Sequence, residues 1–123
     1  MQELKDMAEE KLRAARALHR DGFYADSVSR SYYAAYCMVF YSLRRFKSSF
    51  DGRSNPTHAD VPRLIKAYLN NLSRPKQDEL IRLMWSLYHH RVDADYMPKV
   101  TIDATIAGNC IRDASRVLEI LER

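Results

Sequence analysis

The densest concentration of chemically active side chains is the stretch YHHRVDADY, residues 88–96. It places two histidines, an arginine and two aspartates between two tyrosines. These residue types allow three interpretations: a catalytic site, a metal site, or a structural charge cluster at a helix end. His89 and Asp93 are four positions apart and could share a metal, but no third ligand is nearby in sequence. We therefore predict no metal site.

Arg91 interrupts the apolar face of a helix that is predicted to start after Ser73 and Pro75 and to end near Tyr96. At about 100° per residue, this face also carries Leu80, Leu83, Met84, Leu87 and Ala94. An unpaired buried charge is costly, so Arg91 needs a partner, and Asp95 at i+4 is the nearest candidate. Two readings stay open: an internal ion pair, or a cleft arginine whose planar fork binds phosphate oxygens.

The histidines of this helix are harder to place. By helical projection, His89, Asp93 and Tyr96 point to the side opposite the apolar face. His90 lies between the two faces and could reach the same cleft as Arg91. Because histidine titrates near neutral pH, His90 is a candidate acid–base group.

A long loop, KSSFDGRSNPTHAD at residues 47–60, carries a further candidate. Loops of this length are usually mobile or functional. His58 in this loop is a second candidate acid–base group, although a loop histidine more often makes only a structural hydrogen bond.

Apolar residues at three- and four-residue steps predict five helices and no strand. Glycine (3 residues) and proline (4) are scarce, which favours long helices over many turns. The sequence predicts an all-α, antiparallel, up-and-down bundle of four or five helices that forms one domain over residues 1–123. The predicted helices span about Glu3 to Arg20, Tyr24 to Phe46, Asp60 to Asn70, the segment described above, and Thr101 to the chain end, with Asp60 and Thr101 as N-caps.

The second predicted helix is apolar or aromatic around much of its circumference. Such a helix is usually central in a bundle or faces a second subunit. Beside its core stripe, one face mixes basic and aromatic side chains: Arg30, Tyr33, Cys37, Tyr41 and Arg44. Arginines among aromatic residues suit RNA bases and phosphates, and they also suit protein interfaces, which we favour for this face.

Composition limits the function classes. The formal charge is +4, the pI is about 9.2, and the basic residues are scattered, so contact with a polyanion is allowed but not required. No apolar run is long enough to span a membrane, and the N-terminal stretch MQELKDMAEEKLRAAR is too charged for a secretory signal, so we expect a cytoplasmic location. Without a glycine-rich phosphate loop or a cysteine cluster, we predict no cofactor.

The stretch SRSYYAAYCMVFYSL, residues 29–43, resembles the helix signature of HEPN domains (higher eukaryotes and prokaryotes nucleotide-binding). More narrowly, it resembles the small stand-alone prokaryotic branch classed as UPF0332, in which a serine–arginine pair precedes two tyrosines and an alanine. HRDGFYADSVSRSYYA and HRVDADY are also similar to segments of that branch, with Arg91, Asp95 and Tyr96 at matching positions, and His58 resembles a histidine often found in the loop. The resemblance covers residues from about Lys5 to Leu121.

The resemblance implies a helical bundle that often forms homodimers and often has a minimal nucleotidyltransferase as its partner, in pairs that can act as toxin and antitoxin. Many HEPN proteins are metal-independent endoribonucleases, in which an arginine and a polar residue precede a histidine some four to six positions on. This chain departs from that motif, because Val92 follows Arg91, Tyr96 stands at the fifth position, and no histidine comes later.

The resemblance and this departure together predict a dimeric binding module that takes a nucleotide or RNA and acts with a nucleotidyltransferase. Arg91, Asp95 and Tyr96 would line the dimer cleft, and Arg30 and Tyr33 would support it from the second helix. Two alternatives stay open. One is an endoribonuclease that uses Arg91 with His90 or His58, and the other is a purely structural partner subunit.

Overall fold

Five helices make up the secondary structure of the described part of the chain, residues 2–46 and 59–122 of a computed structural model. There is no strand within these ranges, so the predicted all-helical fold class is confirmed. No helix of the described ranges is both long enough and apolar enough to cross a membrane. The helices are α1 (Gln2–Arg20), α2 (Tyr24–Phe46), α3 (Val61–Tyr68), α4 (Arg74–Tyr96) and α5 (Ala104–Leu121).

α2 is the central helix, because it packs against each of the other four. This position explains why its apolar and aromatic side chains extend around most of its circumference. Its core stripe is fully buried at Val28, Tyr32, Val39 and Leu43, none of which exposes more than 1% of its surface. Helix α5 also contacts both α1 and α4, and α3 packs on α2 and α4.

The turn between α1 and α2 sets the start of the central helix. Asp21-Gly22 ends α1 as predicted, and Gly22 has a φ of +84°, a left-handed conformation that glycine adopts without strain. The Phe23 N–H donates to the Leu18 carbonyl, and the Gly22 N–H donates to the His19 carbonyl. This pair of bonds is the Schellman arrangement, which satisfies carbonyls that the end of a helix leaves free.

The start of α5 differs from the prediction that Thr101 caps it. The N-cap is Asp103, whose extended backbone (φ −100°, ψ 178°) lets its side chain accept from the Ile106 N–H at 2.9 Å. An N-cap side chain reaches the amide two or three residues later, and Thr101 is five residues before Ile106. Asp60 does precede α3, as predicted, but its side chain makes no capping hydrogen bond.

α2 and α4 run antiparallel, so the beginning of α2 lies beside the end of α4. Ser29 on α2 contacts Asp95 on α4, and Tyr33, one turn later on α2, contacts Arg91, one turn earlier on α4. α4 is fixed against α5 by Arg116, which donates to both carboxylate oxygens of Glu79, at 2.8 and 3.0 Å. These contacts define where the candidate site residues meet.

Candidate functional site

Arg91 lies in the interface between α2 and α4, where only 13% of its side chain is exposed. Its Nη2 donates to the Tyr33 hydroxyl at 2.5 Å, and its Nε lies 3.1 Å from Asp95 Oδ2. The Nε–H is not aligned for a hydrogen bond, so the contact with Asp95 is an ion pair only. Burial alone would lower the pKa of Arg91, but the Tyr33 hydrogen bond and the nearby Tyr96 and Asp95 raise it.

Three tyrosine rings surround the Arg91 guanidinium. Its central carbon lies 5.7 Å from the ring centroid of Tyr32 and 5.3 Å from those of Tyr33 and Tyr96. Each distance is within the range at which the ring quadrupole attracts a cation. The cage has a buried wall and an outer wall, because Tyr32 is fully buried, whereas Tyr96 is 64% exposed. We call Arg91, Asp95 and these three tyrosines the Arg91 cluster.

The position of Tyr96 differs from the helical projection, which placed it on the side opposite Arg91. Side chains on a helix lean toward its N-terminus, so a long side chain in the last turn covers the turn before it. Tyr96 is the last residue of α4, and its ring reaches back to the guanidinium. The projection was wrong here because it gives the direction of a Cβ and not the reach of a ring.

Ser29 belongs to the site although the sequence did not single it out as a binding candidate. Its Oγ donates to Asp95 Oδ2 at 3.3 Å, the same oxygen that faces Arg91. The signal for it was the serine–arginine pair at the start of SRSYYAAY. Ser29 therefore helps to orient the carboxylate that Arg91 needs.

An open groove of about 410 Å³ lies beside the Arg91 cluster. This volume is within the range of about 300–1,000 Å³ typical of small-molecule sites. The groove is lined by Leu18, Asp26, Ser29, Arg30 and Tyr33. Tyr33 thus belongs to both the groove and the Arg91 cluster, and Ser29 links the two because it lines the groove and donates to Asp95. We call this feature the Arg30 groove.

Arg30 is the available cation of this groove. It is exposed, and it makes no hydrogen bond or ion pair with any residue of the ranges 2–46 and 59–122. Arg91, in contrast, is already engaged by Tyr33 and Asp95. An anion entering the groove would meet Arg30 without first breaking an existing ion pair. The arrangement can therefore bind a phosphate at Arg30 while Arg91 holds Tyr33 in place.

The histidines lie away from the Arg91 cluster where they are described. His90 Nδ1 lies 3.0 Å from the Ser86 carbonyl oxygen, and its side chain faces α5, near Asp113. Burial raises the pKa of Asp113, and the nearby His90 and Arg112 partly offset that effect. His89 is exposed and packs edge-on against Trp85 at 4.5 Å. His58 lies outside the described residues.

The structure thus unites most of the predicted binding residues and leaves the candidate acid–base histidine apart. Tyr33, Arg91, Asp95 and Tyr96 form one cluster, and Arg30 lines the adjoining groove. Within the described part of the chain, no three histidine, cysteine, aspartate or glutamate side chains are grouped so that they could hold a metal. The chemistry available at this place is binding through cationic, aromatic and hydrogen-bonding groups.

Comparison with protein-family models matches the HEPN domain over residues 1–123. The chain belongs to the HEPN family. A search of the curated proteins found no match. The family resemblance inferred from the sequence is thereby confirmed, and the narrower UPF0332 branch stays a prediction.

Proposed function

We propose that this HEPN domain is a non-catalytic binding module for a nucleotide or single-stranded RNA, and that it works as a homodimer beside a minimal nucleotidyltransferase. The observation that carries the binding role is the exposed Arg30 guanidinium, which lines an open groove and has no partner among the described residues. Arginine suits phosphate because its planar fork can bind two oxygens at once.

Each side of the Arg30 groove has a distinct role in this proposal. Arg30 binds a phosphate, and Tyr33 offers an aromatic wall for a base. Arg91 is a positioning residue, because it holds the Tyr33 hydroxyl and is itself held by Asp95. Tyr96, exposed on the outer side of the same cluster, extends the aromatic surface.

The absence of catalysis is proposed from the position of the acid–base groups. General acid–base catalysis needs a group within hydrogen-bonding reach of the proton that it moves. His90, the nearest histidine in sequence, faces α5, whereas Arg91 faces α2. His89 packs on Trp85 and His19 lies against the Ala104 carbonyl oxygen, so none of the histidines in the described ranges has a contact with Arg91. The endoribonuclease and the purely structural subunit remain as the rivals that experiments must exclude.

The proposed dimer is supported by exposed apolar side chains at one end of the bundle. At this end α1 and α4 finish and α2 and α5 begin, as the bond between His19 and the Ala104 carbonyl oxygen shows. The large hydrophobic side chains exposed there are Phe23, Tyr96, Met97 and Val100. Exposed apolar patches mark interaction surfaces, and Tyr96 links this one to the Arg91 cluster. The nucleotidyltransferase partner rests on the family resemblance alone.

The binding proposal can be tested by fluorescence anisotropy with labelled single-stranded RNA, competed with free nucleotides, in the presence of a chelator. We expect binding that weakens about fivefold or more in Arg30→Ala. The matched control is Arg82→Ala, which removes an exposed arginine of α4 outside the groove and should leave the affinity unchanged. Equal affinity in wild type and Arg30→Ala would remove the groove from the binding site.

The same reactions, run on a denaturing gel, test the catalytic rival. We expect intact RNA after long incubation over a broad substrate set. Metal-independent cleavage that disappears in Arg91→Ala would overturn the non-catalytic proposal. If the folded protein binds neither RNA nor nucleotide, the remaining explanation is a purely structural partner subunit.

A further inference from the structure

We infer that the Arg30 groove recognises guanine, with the Asp26 carboxylate accepting from the base and Arg30 binding an adjacent phosphate. This inference rests on the proposed function and names its ligand class more narrowly. It starts from the two opposite charges that line the groove, Asp26 and Arg30, one helical turn apart on α2. Both side chains belong to exposed residues.

The two charges do not neutralise each other. Residues four apart on a helix can pair, yet Asp26 and Arg30 make no ion pair within 4 Å, and neither bonds to another residue of the described ranges. Both therefore remain available to a ligand in the groove. A ligand made only of phosphates would be repelled by Asp26. The charge pattern instead favours a ligand with an anion at one point and hydrogen-bond donors at another.

Guanine is the standard base whose Watson–Crick edge carries two neighbouring donors, N1–H and the N2 amino group. An ionised carboxylate only accepts hydrogen bonds, and its two oxygens can receive both donors at once. Adenine and cytosine each place a donor beside an acceptor on this edge, so a carboxylate would face a lone pair. Uracil offers a single donor between two carbonyl oxygens. Asp26 is thus matched to guanine by the number and direction of donors.

The rest of the groove suits a base and its backbone. Leu18 and Tyr33 provide an apolar and an aromatic wall, and bases stack on aromatic side chains in sequence-tolerant RNA recognition. Ser29 lines the same groove beside Arg30. The Watson–Crick edge is free only in an unpaired base, so the ligand class is single-stranded RNA with an accessible guanine, or a free guanine nucleotide.

A competing explanation for Asp26 is structural. It stands in the first turn of α2, where a negative charge stabilises the helix dipole. That explanation predicts that Asp26→Asn changes thermal stability slightly and leaves base preference unchanged. A measurement of base preference therefore separates the two roles.

The experiment uses the full chain and uridine octanucleotides that carry one central guanosine, inosine or adenosine, with affinity read by fluorescence anisotropy. Inosine keeps N1–H and lacks the N2 amino group. We expect the guanosine oligonucleotide to bind about tenfold more tightly than the inosine one. It should bind at least about tenfold more tightly than the adenosine one as well. Asp26→Asn should bring the three within about twofold, and Arg30→Ala should weaken all three alike. Competition with GMP and AMP distinguishes a free nucleotide from a strand.

The outcomes separate the inference from the function on which it rests. Equal affinity for the three oligonucleotides, with Arg30→Ala still weakening all of them, overturns guanine recognition and leaves the binding function standing. A guanosine preference that persists in Asp26→Asn, with a circular dichroism spectrum like that of the wild type, also overturns the role of Asp26. No binding to any oligonucleotide or mononucleotide overturns both.

Discussion

The Arg91 guanidinium makes its described polar contacts within its own chain, to Tyr33 on α2 and to Asp95 on α4. The internal ion pair predicted from the sequence is present, and a phosphate-binding role for Arg91 stays a prediction. To bind phosphate through Nε, Arg91 would have to give up Asp95. Arg30 has no ion pair with a residue of the described ranges to give up. For this reason the proposed phosphate contact is Arg30 on α2 rather than Arg91 on α4.

Replacing Arg91 should destabilise the fold. Arg91→Ala removes the bond to Tyr33 and leaves the Asp95 carboxylate, 27% exposed, without its cation, so we expect the free energy of unfolding to fall by about 2 kcal/mol. Tyr33→Phe removes only the accepting hydroxyl and should cost about 1 kcal/mol. Urea denaturation followed by circular dichroism measures both values. If Arg91→Ala unfolds at the same urea concentration as wild type, Arg91 does not hold α2 to α4.

The predictable part of the site is the part that follows from one helix. The apolar period of α4 placed Arg91 in the core-facing stripe, and the i+4 spacing identified Asp95 as its partner, which the ion pair confirms. Tyr33 as the hydrogen-bond partner was out of reach, because a period gives a face and not the helix that covers it. Ser29 was missed for the same reason, since its contact with Asp95 spans 66 residues.

The sequence pattern predicted the bounds of the helices more closely than it predicted the contacts of the site. The bounds of α2 match the prediction at both ends, and α1 begins one residue earlier than predicted, because turn formers mark their ends. Helix α4 ends at Tyr96 as predicted but begins at Arg74, two residues before the predicted start after Pro75.

The start of α3 after Asp60 also matches, whereas α3 ends at Tyr68, two residues before the predicted Asn70. The predicted start of α5 was wrong, because more than one cap-forming residue precedes it. Between Thr101 and Asp103, only backbone geometry decides which side chain reaches a free amide.

The N-cap of α5 gives a paired test at this scale. Asp103→Ala removes the side chain that accepts from the Ile106 N–H and should lower the free energy of unfolding by about 1 kcal/mol. Thr101→Ala, two residues earlier, should change it by a few tenths of a kcal/mol at most. The melting temperatures of the two variants measure these losses of stability. Equal losses in the two variants would show that the cap is not confined to Asp103.

The clamp between α4 and α5 should make stability depend on acid. The hydrogen bond from Arg116 holds the pKa of Glu79 below its ordinary value. A carboxylate whose pKa is lower when folded stabilises the fold above the unfolded value of about 4.3, and the stabilisation is lost as the pH falls through the folded pKa. Glu79→Gln should therefore melt at a lower temperature than wild type at pH 7, with the two melting temperatures converging in acid.

Glu10→Gln is the control for this experiment. Glu10 is exposed on α1 and forms no ion pair with another residue of the described ranges, so its replacement should leave the melting temperature at pH 7 unchanged. A difference between Glu79→Gln and wild type that stays constant down to pH 2 would contradict the assignment, because it would not depend on the charge of the carboxylate.

For the whole molecule, the sharpest structural expectation is self-association through the apolar end of the bundle. Sedimentation equilibrium should give twice the 14.4 kDa chain mass at micromolar concentration. Met97→Ser removes an exposed side chain from that end and should weaken the dimer about tenfold, since burying such a side chain contributes roughly 1.5–3 kcal/mol.

Trp85→Ser is the matched control, because Trp85 is a comparably exposed hydrophobic side chain of α4, 11 residues before Tyr96. It should leave the dimer intact. A wild-type protein that sediments as a monomer would contradict the proposed homodimer and the cleft between its two subunits. Dissociation by Trp85→Ser and not by Met97→Ser would move the interface to another face of the bundle.

The most direct test of the central claim is the salt dependence of RNA binding in wild type, Arg30→Ala and Arg82→Ala. Each phosphate contact to a single strand contributes about 0.7 to the slope of log affinity against log salt concentration. We expect the slope to decrease by about 0.7 in Arg30→Ala and to stay at the wild-type value in Arg82→Ala. Parallel lines for all three proteins would show that Arg30 meets no phosphate and would contradict the proposed site.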